Sequence, residues 1–149
     1  MSMKDVVEAS GRPVVTIGYD ASVEDAIAVM AAKASSSLIV FKGQAPAGIF
    51  TEHDIVKAFN IARGKPFSQV PIEQAMTNKL IAATPDDELD SSISLMLRAD
   101  IRHLPVKDGE EIIAILHLCD LVYYRVEVLT SEMSHLENYV KDLHGAMTD

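Results

Sequence analysis

Cysteine is nearly absent from this 149-residue chain, with Cys119 standing alone. An internal disulfide is therefore excluded, and a reducing compartment fits. Positive charge is scarce: 13 Lys and Arg face 22 Asp and Glu, for a formal charge of −9. Such a surface repels a phosphate backbone, so non-specific nucleic-acid binding is not expected, while local cations can still hold a small anionic ligand. No stretch approaches 18 uninterrupted apolar residues, so no membrane span is expected. Met1 to Glu8 lacks a basic region followed by an apolar run, so no signal peptide is expected, and cytoplasm is the default location. A glycine-rich phosphate loop followed by lysine is also missing.

What is there is a globular composition, 48% hydrophobic and 23% charged, enough for one ordinary domain or two small ones sharing an interface. Val6 to Ala9 predicts a short helix, and Val14 to Ile17 a strand bounded by Gly18. Ser22, with Asp25 three residues on, opens a helix whose apolar face is expected at Ala26, Ile27, Met30 and Ala34. Ser37–Phe41 and Ala47–Phe50 read as strands around a turn at Lys42-Gly43-Gln44. Thr51 opens a further helix, with Ile55, Val56 and Phe59 expected on its inner side and a stop at Arg63-Gly64-Lys65-Pro66.

From Pro71 the order starts again. Ile72 to Met76 resembles Val6 to Ser10, and Leu80 to Ala83 resembles Val14 to Ile17. Asp20 and Asp86, Val23 and Leu89, Ile27 and Ile93, and Met30 and Met96 all lie 66 positions apart. So do Leu38 and Leu104, Val40 and Val106, Gly43 and Gly109, Ile49 and Ile115, and Asp54 and Asp120. A register held without a gap through helices and strands marks an internal duplication. The fold class expected is α+β: two β-α-β-β-α units in a pseudo-twofold pair, with a cleft where equivalent loops meet.

The last helix of the second unit continues where the first one stops, since no Gly or Pro occurs from Glu110 to His144. Val122, Val126, Leu129, Met133, Leu136, Val140 and Leu143 alternate spacings of four and three. Val and Met at a with Leu at d suits a two-stranded coiled coil, so a homodimer is expected; a helix folded back on its own domain is the alternative. The division expected is 1–66, 67–125 and a helical extension over 126–149.

The chemistry concentrates where a strand ends and a helix begins. Gly48-Ile49-Phe50-Thr51-Glu52-His53-Asp54 places a hydroxyl and free N–H groups at a helix N-terminus, with a carboxylate one turn in. A carboxylate accepts two hydrogen bonds from a cis-diol, and the hydroxyl and N–H groups can donate to phosphate. Thr-x-x-Asp also serves as a helix cap. In the second copy Asp120 persists although His117 replaces the hydroxyl, which argues against capping as the sole reason for the aspartate.

The doubled unit, the Gly48–Asp54 stretch and Ile101-Arg102-His103-Leu104-Pro105-Val106 together resemble a tandem pair of CBS domains, a Bateman module, over roughly Val6 to Tyr124. The resemblance implies two CBS repeats and a long C-terminal helix. It implies a non-enzymatic regulatory module that binds an adenosine-containing ligand (AMP, ADP, ATP, S-adenosylmethionine or NAD) and signals occupancy to an effector protein. Carried over, the first site would comprise Asp54 on the ribose, Thr51 beside it, Ile49, Leu80 and Ile81 around the base, and Arg102 and His103 near phosphate. The second would comprise Asp120, His117, Ile115, Val14 and Val15. Ser36-Ser37 offers no cation equivalent to Arg102, Ala114 replaces the usual glycine, and His117 replaces the usual hydroxyl, so unequal sites are expected, the Asp54 site being the complete one.

Two other readings stand beside this one. A ligand-free scaffold would have its cleft closed by side chains such as His117 and Phe50. A metal-dependent or thiol enzyme would use His53, His103, His117 and Cys119 with the aspartates, but no pair has zinc-ligand spacing, and His117 and Cys119, two apart, diverge on a helix. No metal site is expected.

Overall fold

The computed structural model describes residues 1–148, with side chains described through residue 146. Asp149, the end of the expected extension, lies outside the described residues. The elements run α1 (Met3–Ser10), β1 (Thr16–Gly18), α2 (Val23–Lys33), β2 (Ser37–Lys42), β3 (Ala45–Thr51) and α3 (Glu52–Ala62). A 3-10 turn at Phe67–Gln69 leads to α4 (Ile72–Ala75), α5 (Leu89–Ala99), β4 (His103–Asp108), β5 (Glu111–His117) and α6 (Leu118–Thr148). The molecule is α+β, with a pair of small sheets.

The duplication is written into the backbone as well as the side chains. α2 and α5, β2 and β4, β3 and β5, and α3 and α6 each start 66 positions apart. Both hairpins turn at a glycine with positive φ, Gly43 and Gly109, a conformation open to glycine at no steric cost. Both carry a register shift after the same valine, Val40 and Val106. Helices α2 and α5 both end on a left-handed residue, Ala34 and Asp100. Ala34 therefore lies past its helix and is exposed, and takes no part in the apolar face expected of it. Ser22 caps α2 as anticipated: its hydroxyl accepts from the Asp25 N–H at 3.1 Å, and the Asp25 carboxylate accepts from the Ser22 N–H at 3.0 Å.

The first sheet has the order β1-β2-β3, with β1 parallel and β3 antiparallel to β2. The second keeps only β4 and β5 as full strands. The strand expected at Leu80–Ala83 contracts to a parallel bridge between Ala83 and Val106, held by Ala83 N–H to Pro105 O at 2.9 Å and Lys107 N–H to Ala83 O at 2.8 Å.

Packing crosses the expected division at residues 66 and 67. The first core gathers Val23, Leu38, Val40, Phe50 and Ala58 with Val70, Ile72 and Ala75 from α4 and its approach. The second gathers Leu89, Met96, Leu104, Leu116 and Leu121 with Met3 and Val6 from α1. Each short helix thus serves the other repeat. Backbone bonds fix the exchange: Met3 N–H to Asp87 O at 2.8 Å on one side, Ile72 N–H to Ala21 O at 2.9 Å on the other.

On α3 the inner face differs from the one expected. Val56 and Phe59 are 65% and 72% exposed, and the buried positions are Asp54, Ala58 and Ala62, with Ile55 and Ile61 partly buried. Small residues let α3 approach α4 and α2 closely, so alanines rather than the bulkiest side chains mark the contact. Helix α6 packs on α5 and α1 only through its first turns, with Leu121 fully buried. Its heptad positions from Val122 to Leu143 are all exposed. No helix among the described residues is long and apolar enough to cross a membrane.

Candidate functional site

Two strand-to-helix junctions, β3–α3 and β5–α6, carry the candidate residues, and both contribute to one cavity. At the first, Thr51 is the residue before α3 and Asp54 lies one turn in. The Asp54 carboxylate reaches back to accept from the Thr51 N–H at 2.9 Å. At the second, Asp120 accepts from the His117 N–H at 2.9 Å in the same way. The His117 ring also caps: Nδ1 accepts from the Cys119 N–H at 3.1 Å. Histidine therefore replaces the cap hydroxyl without loss of the cap, and Asp120 does have a capping partner, contrary to the sequence argument.

Beside Asp54 opens a cavity of about 630 Å³. Ile49, Thr51 and Asp54 line it from the first repeat, and Ile81, Arg102, His103 and His117 from the second. The segment between the repeats adds Thr77 and Lys79, and the turn after α5 adds Asp100 and Ile101. Gly48 is what lets that segment in. Thr77 pairs with Ile49 through two backbone bonds of 2.9 Å, and a Cβ on Gly48 would run into the Thr77 carbonyl oxygen.

Asp54 is 4% exposed. Burial raises its pKa above the ordinary carboxylate value, and the Thr51 N–H and Lys57 oppose that shift. His103 spans the repeats, its Nε2 lying 2.8 Å from Ser36 Oγ and its ring edge-on to His117 with centroids 4.9 Å apart. Burial, with His117 and Arg12 nearby, lowers its pKa to about 4, so it is neutral at pH 7. Lys79 and Arg102 bring cationic side chains to the cavity.

The second junction is different. Arg12 forks onto Asp120, Nε to Oδ2 and Nη2 to Oδ1, both 2.9 Å. The fork holds the Asp120 carboxyl below its ordinary pKa, against a smaller opposing effect of burial.

The CBS domain family profile matches residues 3–61 and 72–127, most of the chain. The chain belongs to the CBS domain family. As a CBS pair it is 29% identical over 149 residues to the mitochondrial CBS domain-containing protein CBSX3 of Arabidopsis thaliana, covering 94% of this chain and 72% of that protein. It superposes on a CBS-domain containing protein of Agrobacterium tumefaciens with a TM-score of 0.76 and 29% identity, covering 84% of this chain and 99% of that one. A CBS domain protein of Pyrobaculum aerophilum, solved in complex with AMP, shares the fold with a TM-score of 0.72 and 20% identity, over 87% and 97% of the two chains.

Of the residues the sequence nominated for the first site of the CBS pair, Thr51, Asp54, Ile49, Ile81, Arg102 and His103 converge on the cavity. Leu80 is not among its lining residues. His117, nominated for the second site, lines the first. Ile115 is buried at 4% exposure and bridges to Arg12, while Val14 and Val15 are half-buried on the segment beyond it. Thr77, Lys79 and Arg12 escaped notice because their roles depend on how the N-terminal and linking segments cross to the opposite repeat. Cys119 is exposed, and among the described residues no three His, Cys, Asp or Glu side chains are grouped to hold a metal ion.

Proposed function

We propose that this CBS pair is a regulatory module, not an enzyme, that binds an adenosine-containing ligand in the Asp54 cavity and signals its occupancy to an effector protein. One observation carries the reading: a buried carboxylate at the start of α3 lines a cavity together with the apolar Ile49, Ile81 and Ile101 and the cationic Lys79 and Arg102. Its volume of about 630 Å³ suits a small molecule. Asp54 accepts from the ribose hydroxyls, Ile49 and Ile81 flank the base, and Arg102 and Lys79 meet phosphate oxygens. The AMP in the Pyrobaculum relative supports this ligand class. A ligand alters the angle between repeats or subunits only through different affinities for the two arrangements. The test is a thermal-shift titration with AMP, ADP, ATP, NAD and S-adenosylmethionine. Stabilisation should grow with concentration, reaching about 2.7 kcal/mol at a hundredfold excess over Kd, and at that same concentration should fall to about 0.4 kcal/mol in Asp54→Asn. Stabilisation by none of the five would end the reading.

The exposed seam on α6 supports a second element of the same function, pairing with a second copy of the chain. Val126, Met133 and Val140 alternate with Leu129, Leu136 and Leu143, and all are open to solvent in the single chain. Sedimentation equilibrium should give a dimer that Leu136→Lys converts to a monomer with ligand binding intact. A monomeric wild-type chain would leave α6 as a surface for another protein.

A further inference from the structure

The two junctions are crossed by equivalent backbone bridges but by unequal side chains. In the first, Ile49 bridges to Thr77; in the second, its counterpart Ile115 bridges to Arg12, with Arg12 N–H to Ile115 O at 3.1 Å and Ile115 N–H to Arg12 O at 3.2 Å. Threonine is short, and the first cavity stays open beside it. Arginine at the corresponding place is long enough to reach Asp120 and fork onto it.

The fork uses both carboxylate oxygens, and Oδ2 also accepts from the His117 N–H. A ribose diol needs those same oxygens. We propose that Arg12 is a built-in occupant of the second cleft, which silences Asp120 toward adenosine-containing ligands and limits the chain to one ligand. Asp120 is 14% exposed beneath the guanidinium, and the Arg12 side chain is 54% exposed, so the arginine covers the carboxylate from the solvent side. Because the Arg12 backbone is bonded to Ile115, the guanidinium stays tethered within reach of Asp120 and competes intramolecularly with any free ligand.

The inference rests on the proposed ligand class, and calorimetric stoichiometry separates the two. With AMP as probe, wild-type protein should bind one molecule per chain and Arg12→Met two. Methionine keeps an unbranched stem and removes the fork. Asp120→Asn added to Arg12→Met should restore one, and adenosine, which has no phosphate, should repeat the pattern. Two molecules on the wild-type chain, or one still on Arg12→Met, would overturn the plug while leaving the Asp54 site standing. No binding to wild type with Asp120-dependent binding to Arg12→Met would keep the plug and remove the Asp54 reading. No binding to either would remove both.

Discussion

Asp54 and Asp120 stand at the same step of two copied junctions, and each accepts one backbone N–H at 2.9 Å. Beyond that they part. Asp54 is buried, has no ion-pair partner among the described residues, and lines a cavity; Asp120 is clamped by Arg12. The junction itself does not decide the outcome. What crosses it from the other repeat does: Thr77 over the first, Arg12 over the second. Duplicated scaffolds can thus diverge in function through a connecting segment while every copied element keeps its place.

The largest effect should come from removing the charge at the first junction. Asp54→Asn keeps an oxygen for the Thr51 N–H but loses the charged acceptor proposed for ribose. Hydrogen bonds to charged groups are worth about 1.5–3 kcal/mol each, so affinity should fall on the order of a hundredfold by calorimetry. The matched Asp120→Asn should leave the measured affinity unchanged. Equal losses in both variants would erase the asymmetry between the junctions.

Next comes the glycine that admits Thr77. Gly48→Ala places a Cβ against the Thr77 carbonyl, and overpacking of this kind costs about 1–3 kcal/mol. Denaturant unfolding should show that loss, with weaker ligand binding as Thr77 is displaced. Position 114 already carries alanine. There the reverse change, Ala114→Gly, should cost about 0.5–1 kcal/mol in backbone entropy and about 0.8 kcal/mol more for the buried methyl it removes. Gly48→Ala without cost would mean the linking segment can shift freely.

The sequence made the copied parts legible because each is a local device that repeats: a turn glycine, a capping serine, a strand ending in a helix. Those survive in register through β2, β3 and α3 and their counterparts. It hid whatever depends on distant pairing. The face of α3 differs from the expected one because Ala58 and Ala62, not Val56 and Phe59, enter the core, while Asp54 is buried at the cavity. The 66-residue register aligns Arg12 with Asn78, whereas the bridges align it with Thr77, a one-residue slip that no local pattern reports. The exchange of α1 and α4 between cores is likewise a matter of tertiary placement.

Arg12→Met should cost less than Gly48→Ala. The pair is bidentate, but the arginine is half exposed, so its loss should remove about 0.5–1 kcal/mol at pH 7 and less at high salt. A loss several times larger would make Arg12 a structural strut.

The smallest effect is the dependence of these differences on pH, and the two junctions should show it with opposite sign. Asp120 is held below its ordinary pKa, so its ion pair contributes stability above the unfolded-state value, and that contribution is lost as pH falls through the depressed folded value. The stability gap between wild type and Arg12→Met should therefore persist from neutral pH down to about 4 and close only below it. Asp54 is raised by burial, so its ionised form is a cost at neutral pH that disappears as pH falls through the raised value and the group protonates. Asn cannot ionise, so Asp54→Asn should be slightly more stable than wild type at pH 7, and that advantage should shrink on acidification before the Arg12 gap does. Denaturant midpoints for the three proteins between pH 7 and 2.5 give both curves. If the two gaps closed together, the carboxylates would share one environment, and the contrast between an open and a plugged cleft would fail.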